Sequence, residues 1–168
     1  RGGWRHRPGT MSTVEQFDAR SCVLMRLGER RFALAAEDIA ELVAPSRVFR
    51  FAHRTTEIDG VILRRGRVVP VCDVAERLTG KKLTARRFYL VATQRRGAGL
   101  DWVALPVSGE CELITADLTP AADSDSPHVA AWLSHDGEVI EVLNLDALMP
   151  GAAVPEITAQ GGSPEARA

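Results

Sequence analysis

Gly60-Val61-Ile62-Leu63-Arg64-Arg65-Gly66-Arg67-Val68-Val69-Pro70-Val71-Cys72-Asp73-Val74 reads as two apolar strands joined by a tight turn and followed by a short helix. The runs 61–63 and 68–72 are rich in β-branched residues, which suit a pleated, half-buried surface. Between them, Arg65-Gly66 puts a glycine where a two-residue hairpin turn requires positive φ. Pro70 has no amide donor, so its strand belongs at a sheet edge or a bulge. Asp73 can cap a helix over 73–79, and Gly80 can end it. An edge strand next to an exposed arginine is a place for another protein to dock.

The same alternation of short strand and turn extends in both directions. Further strands are expected at 22–27, 31–35, 48–51, 58–63, 68–72, 88–93, 102–107, 112–114, 129–134 and 139–143. Leu27-Gly28-Glu29 and His135-Asp136-Gly137 have the residues of tight hairpins, which imply antiparallel pairing. A second short helix is expected at 145–149, stopped by Pro150 and Gly151. The stretch 37–43 fits a helical turn about as well as a broken strand. Residues 61–80 and 131–149 share a strand-strand-helix order, a sign of duplicated architecture. Many short strands with two short helices make the chain all-β, as barrels or a sandwich.

At 168 residues, the chain can form one sizeable core or two small fused barrels. Residues 1–18 are polar and unpatterned and are expected to be a flexible extension, with Met11 a plausible natural start. Residues 151–168 are rich in Gly, Ala and Pro and are expected to be a disordered tail, leaving 19–150 as the folded unit. No apolar run reaches the roughly 18 residues of a membrane helix, and no apolar segment follows the basic N-terminus, so a cytoplasmic location is expected. Cys22, Cys72 and Cys111 are odd in number and widely spaced, and each sits in an apolar run, so buried thiols are expected.

The net charge of −1 hides a partition: residues 1–96 hold 20 Lys/Arg against 10 Asp/Glu, whereas residues 97–168 hold only Arg167 against 12. A basic half can mark a nucleic-acid binder, and a small β-barrel using it is the alternative reading. Yet Arg64, Arg65, Arg67, Arg86 and Arg87 alternate with apolar residues as on solvated strand faces, and aromatics are only 5% of the chain, too few for stacking bases. Basic faces meeting the acidic half account for the partition better. Catalytic chemistry is not visible either. The four histidines lie in the N-terminal extension or in loop-like stretches, with no spaced histidine pair and no cysteine nearby, so no metal site is expected. Arg96-Gly97-Ala98-Gly99 has no following Lys-Ser/Thr and reads as a hairpin turn rather than a phosphate loop. The adjacent Ser134, His135 and Asp136 cannot form a triad, whose members meet across a fold. Neither an enzyme nor a bound cofactor is expected.

The segment from Gly60 to Asp73 resembles the signature of CheW-like domains: glycine, two apolar residues, Asn-Leu-Arg-Gly, a short strand, Pro-Val, an apolar residue and Asp-Leu. Gly60, Arg65, Gly66, Pro70, Val71 and Asp73 fall on matching positions. Outside it, Leu27-Gly28 with Phe32, Ile39-Ala40-Glu41-Leu42, the strands at 88–93 and 103–105, and 142–149 fit in order, so the resemblance covers about residues 20–149. Leu63-Arg64 replaces the family's Asn-Leu, Val107-Ser108 its Val-Asp, and the usual proline ahead of Gly60 is missing.

The resemblance implies two fused SH3-like five-stranded β-barrels. It also implies a chemosensory adaptor that binds the regulatory domain of a CheA-type histidine kinase and the cytoplasmic tip of methyl-accepting chemoreceptors, the latter in a groove between the barrels. It places Ile39 and Glu41 on a partner-facing step, Gly60, Arg65 and Gly66 on the signature turn, and Phe88 and Tyr89 on a nearby contact strand. By the residues alone, Ile39, Phe88 and Tyr89 read equally well as core, and Gly60 and Gly66 as turn-shaping.

Overall fold

The structure, a computed structural model, describes residues 19–50, 58–96, 99–122 and 125–149. The expected N-terminal extension and C-terminal tail lie outside the described residues. In chain order the elements are β1 (Ala19–Leu27), β2 (Arg30–Ala35), a 3-10 turn (Ala36–Asp38), β3 (Ile39–Val43), β4 (Gly60–Arg64), β5 (Arg67–Val71), α1 (Ala75–Thr79), β6 (Phe88–Arg96), β7 (Gly99–Val107), β8 (Glu112–Asp117), β9 (Thr119–Pro120), β10 (Val129–His135), β11 (Glu138–Leu143) and α2 (Leu145–Leu148). They form two sheets, ordered β8-β1-β2-β11-β10-β9 and β3-β6-β7-β5-β4.

The sheets share one plan. A central antiparallel hairpin, β1–β2 or β6–β7, carries an antiparallel strand on one side, β8 or β3. On its other side it pairs in parallel with the second strand of another hairpin, β2 with β11 and β7 with β5. Those outer hairpins turn on the same backbone: φ is +49° at Arg65 and +74° at Gly66, and +51° at Asp136 and +75° at Gly137. Each then leads into a single-turn helix. The duplication expected from 61–80 and 131–149 is therefore present, but crossed. The N-terminal hairpin β1–β2 completes the sheet whose other strands come from the second half of the chain.

Crossing over explains the burial. Cys22 and Leu24 of β1 face the core inside the first barrel, while Met25 and Leu27 face a larger core between the barrels. In β6, Tyr89 and Val91 face the core of the second barrel, and Leu90 and Ala92 face the shared one. Strands covered on both faces need continuous apolar sequence, as these have. Ala75 of α1 and Leu145 and Leu148 of α2 also sit in the shared core.

The second sheet curls until its edges meet. Phe49, beyond β3, pairs with Val61 of β4 through backbone bonds of 2.8 and 2.9 Å. This bridge is what remains of the strand expected at 48–51, whose last residue lies outside the described ones. The other departures are local. β4 begins at Gly60 rather than 58, and 37–43 resolves into the 3-10 turn followed by β3. The two-residue β9, too short to show in sequence, makes the first sheet six-stranded rather than five-stranded. Pro70 is not on an edge strand, because β5 lies between β4 and β7. Its missing donor is tolerated because the β5–β7 ladder consists of the single pair Val71 and Ala104, just beyond it.

Candidate functional site

The β4–β5 hairpin and the neighbouring β3 hold most of the expected site. Arg65 sits at the turn with its side chain 74% exposed. Gly66 follows it at φ +74°, with open space where a side chain would begin, so its glycine serves the backbone and not the packing. Gly60 is the reverse. It is buried, and a Cβ there would overlap the carbonyl oxygen of Phe49 and come within 2.8 Å of Val48 Cγ1.

Glu41 reaches the same place from β3, where a register shift interrupts the pairing with β6 between Ile39 and Glu41. Its carboxylate is held by Arg64, which donates from Nε to Oε1 at 2.9 Å and from Nη2 to Oε2 at 3.0 Å. Arg65 Nε stands farther off, 3.7 Å from Oε2. The hydrogen bonds from Arg64, outweighing burial, pull the Glu41 carboxyl below its ordinary value of 4.5. A depressed folded-state value means that Glu41 stabilises the fold above its ordinary value, and that this contribution is lost as pH falls through the lower one. Glu41→Gln is therefore expected to flatten the acid limb of the stability curve, read as urea midpoints between roughly pH 5 and 3. An acid limb identical to that of the wild type would show that the fork contributes nothing.

The remaining expected residues lie deeper. Tyr89 is buried inside the second barrel, whereas Ile39 and Phe88 are half-buried against the shared core. The structure thus brings Glu41 and Arg65 together, gives Gly60 and Gly66 shaping roles, and places Tyr89 in the core. Sequence reasoning missed three members of the surface. Leu63 and Val68 are cross-strand neighbours, 57% and 63% exposed, and Arg64 is the forked partner of Glu41. The period of two along β4 carries the signal for the first pair, because inward Ile62 and Val69 turn Leu63 and Val68 out.

Two supports lie behind the hairpin. Asp73 Oδ1 accepts from the amide of Ala75 at 3.0 Å, and its Oδ2 accepts from Arg86 Nη2 at 3.0 Å. Arg86 also donates to Asp59. Burial works against the Arg86 charge, but its hydrogen bonds to Asp59 and Tyr89 outweigh it and push its pKa up. Ser108, where the family pattern has Asp, ties β7 to the first hairpin: its hydroxyl accepts from the amide of Gly28 at 2.8 Å and donates to the carbonyl of Arg26 at 3.1 Å.

A cleft of about 650 Å³ opens where the barrels meet. Asp38, Thr93 and Arg95 line one side, and Ala131, Val142 and Asp146 the other. Burial, with Glu37 and Asp146 adding to it and Arg95 opposing, pushes the Asp38 carboxyl up. Cys22 and Cys72 are buried and Cys111 half-buried, none of them in a disulfide, and burial pushes the thiols of Cys22 and Cys111 up.

The basic half does meet the acidic one. Arg30 pairs with Glu141 at 3.5 Å, Arg31 with Glu138 at 2.6 Å and Arg87 with Glu110 at 3.2 Å. Among the described residues, no group of His, Cys, Asp and Glu could hold a metal ion, and no helix is long and apolar enough to cross a membrane.

A family model described as CheW-like domain matches residues 21–153. A curated relative, the probable chemotaxis protein CheW of Rhizobium etli, is 28% identical over 134 residues, which span 77% of this chain and 86% of the relative. Among solved structures, the scaffolding protein TtCheW of Thermoanaerobacter tengcongensis superposes with a TM-score of 0.66 at 21% identity. The match covers 77% of this chain and 92% of that one, a likeness of fold.

Proposed function

The chain belongs to the CheW-like domain family, and from that membership we propose that it is a non-enzymatic chemosensory adaptor, coupling chemoreceptors to a CheA-type histidine kinase. The observation that carries this reading is the family match over residues 21–153, which takes in the whole hairpin with its exposed Arg65. An adaptor needs surfaces rather than reactive groups. This one offers a largely exposed guanidinium, only loosely paired with Glu41 and able to fork to a carboxylate, beside an exposed apolar pair. Its place of work is the cytoplasm, at receptor arrays.

The kinase's regulatory domain and the receptor's helical tip are the proposed partners. The tip is assigned to the inter-barrel cleft, whose lining includes apolar Leu118, Ala130 and Leu145. Arg65, Ile39 and Phe88 make up the partner-facing residues, Glu41 acts through the two arginines it pairs with, and Gly60, Gly66 and Tyr89 act by shaping what carries them. The nucleic-acid alternative gains no support, because Arg30, Arg31, Arg64, Arg86 and Arg87 of the basic half are engaged with carboxylates.

Arg65→Ala is expected to weaken co-purification of kinase and receptor without changing the unfolding midpoint, since the side chain lies outside every core. The test is affinity purification from the native cell, with identification of bound proteins. Absence of both partners from wild-type and variant alike would remove the adaptor reading.

A further inference from the structure

We propose that Arg64 is a positioning residue that keeps Arg65 exposed for a partner, by holding Glu41, the carboxylate that Arg65 also approaches among the described residues. The two arginines compete for Glu41 on unequal terms. Arg64 lies in β4, two residues from inward-facing Ile62, and takes both oxygens at 2.9 and 3.0 Å. A bidentate fork is the strongest pairing that a carboxylate and a guanidinium can make. Arg65, at φ +49° in the turn, is left with a looser ion pair, 3.7 Å from Oε2 and beyond hydrogen-bond length, with 74% of its side chain exposed.

Without Arg64, Glu41 would be a half-buried carboxylate whose nearest cation is Arg65. Closing the remaining gap would satisfy Glu41 and withdraw Arg65 into the chain. With Arg64 present, the exposed surface is Arg65 at the turn beside outward Leu63 and Val68, while Arg67, opposite Arg64 in the hairpin, stacks over Trp102 at 4.6 Å. Such a surface fits a partner segment that brings a carboxylate beside an apolar side chain, and it disfavours one that brings a cation for Glu41. The inference rests on the adaptor reading only for who the partner is. The competition for Glu41 takes place within the chain.

The test compares wild-type protein with Arg64→Leu, Arg64→Leu/Glu41→Gln and Arg65→Ala. Arg64→Gln replaces Arg64→Leu if leucine unfolds the hairpin. Hydrogen exchange at the arginine Nε–H groups is read by NMR, with Arg65→Ala identifying the Arg65 signal. Exchange at Arg65 is expected to be fast in the wild type, several-fold slower in Arg64→Leu, and fast again in the double variant. Titration with a CheA-type regulatory domain is expected to show Arg64→Leu and Arg65→Ala weakened about fivefold, as loss of one exposed charge pair allows, and the double variant restored. Because removing an orphaned carboxylate also relieves a purely structural loss, affinity is read beside Arg65 exchange, which a purely structural loss would not slow. Unchanged Arg65 exchange in Arg64→Leu, or a double variant as weak as the single one, overturns the proposal. Wild-type protein that shows the expected exchange pattern and binds no regulatory domain removes the adaptor reading and leaves the role of Arg64 supported.

Discussion

Phe32→Ala is expected to cost about 3–5 kcal/mol, the range for truncating a fully buried aromatic side chain. Phe32 has no exposed surface and belongs to the core between the barrels, which also holds buried residues of both short helices. Its neighbour Ala33 faces the other way, into the first barrel's own core. A hole at Phe32 therefore weakens the seam rather than one barrel. Each barrel core is small by comparison, and the first depends on strands from both ends of the chain while the second is the continuous stretch 39–107, so neither barrel is expected to survive alone. Trp132 on β10 and Trp102 on β7 report on the two barrels separately. Urea unfolding of Phe32→Ala, followed through variants that lack Trp4 and keep one of these tryptophans at a time, should shift both signals to the same lower midpoint. Two separated transitions would show that the barrels fold independently and that the shared core is not what unites them.

That seam marks the boundary of what the sequence made legible. The strands, most of their limits and the hairpin turns follow from local patterns, and Arg65-Gly66 and Asp136-Gly137 adopt positive φ pairs, which Asp and Gly favour and Arg65 takes against its preference. The duplicated block was visible too, because order along the chain is local information. What could not be read was that β1–β2 pairs with β8 and β11 rather than with the strands that follow it, since sheet order depends on contacts between distant residues. In the site, Arg65 and Glu41 were found through a family pattern, and the structure places them 3.7 Å apart. The fork from Arg64 was hidden for a physical reason. A two-residue separation sets Arg64 on the same face as Ile62, but only closure of the sheet brings β3 and β4 near enough for Glu41 to be reached. Tyr89 was ambiguous because β6 is buried on both faces, which removes the alternation that separates core from surface.

Gly60→Ala is expected to destabilise the protein by about 3 kcal/mol, at the upper end of overpacking costs, because its obstacle is backbone. The added methyl would overlap the Phe49 carbonyl oxygen, the same oxygen that accepts from the Val61 amide at 2.9 Å. Relief requires moving the strand-closing bridge, and the second barrel opens along the edge that Arg64 and Glu41 also fasten. Gly66→Ala is the control. There the space is open and the cost is the left-handed backbone alone, about 1–2 kcal/mol. The comparison also separates shape from contact. If Gly60 acts by packing, Gly60→Ala binds partners in proportion to the fraction folded, and binding recovers at a temperature low enough to keep the variant native. Arg65→Ala should do the opposite, keeping its midpoint and losing affinity at every temperature. A Gly60→Ala protein with the wild-type midpoint and weakened binding would instead make Gly60 a point where the partner's backbone approaches.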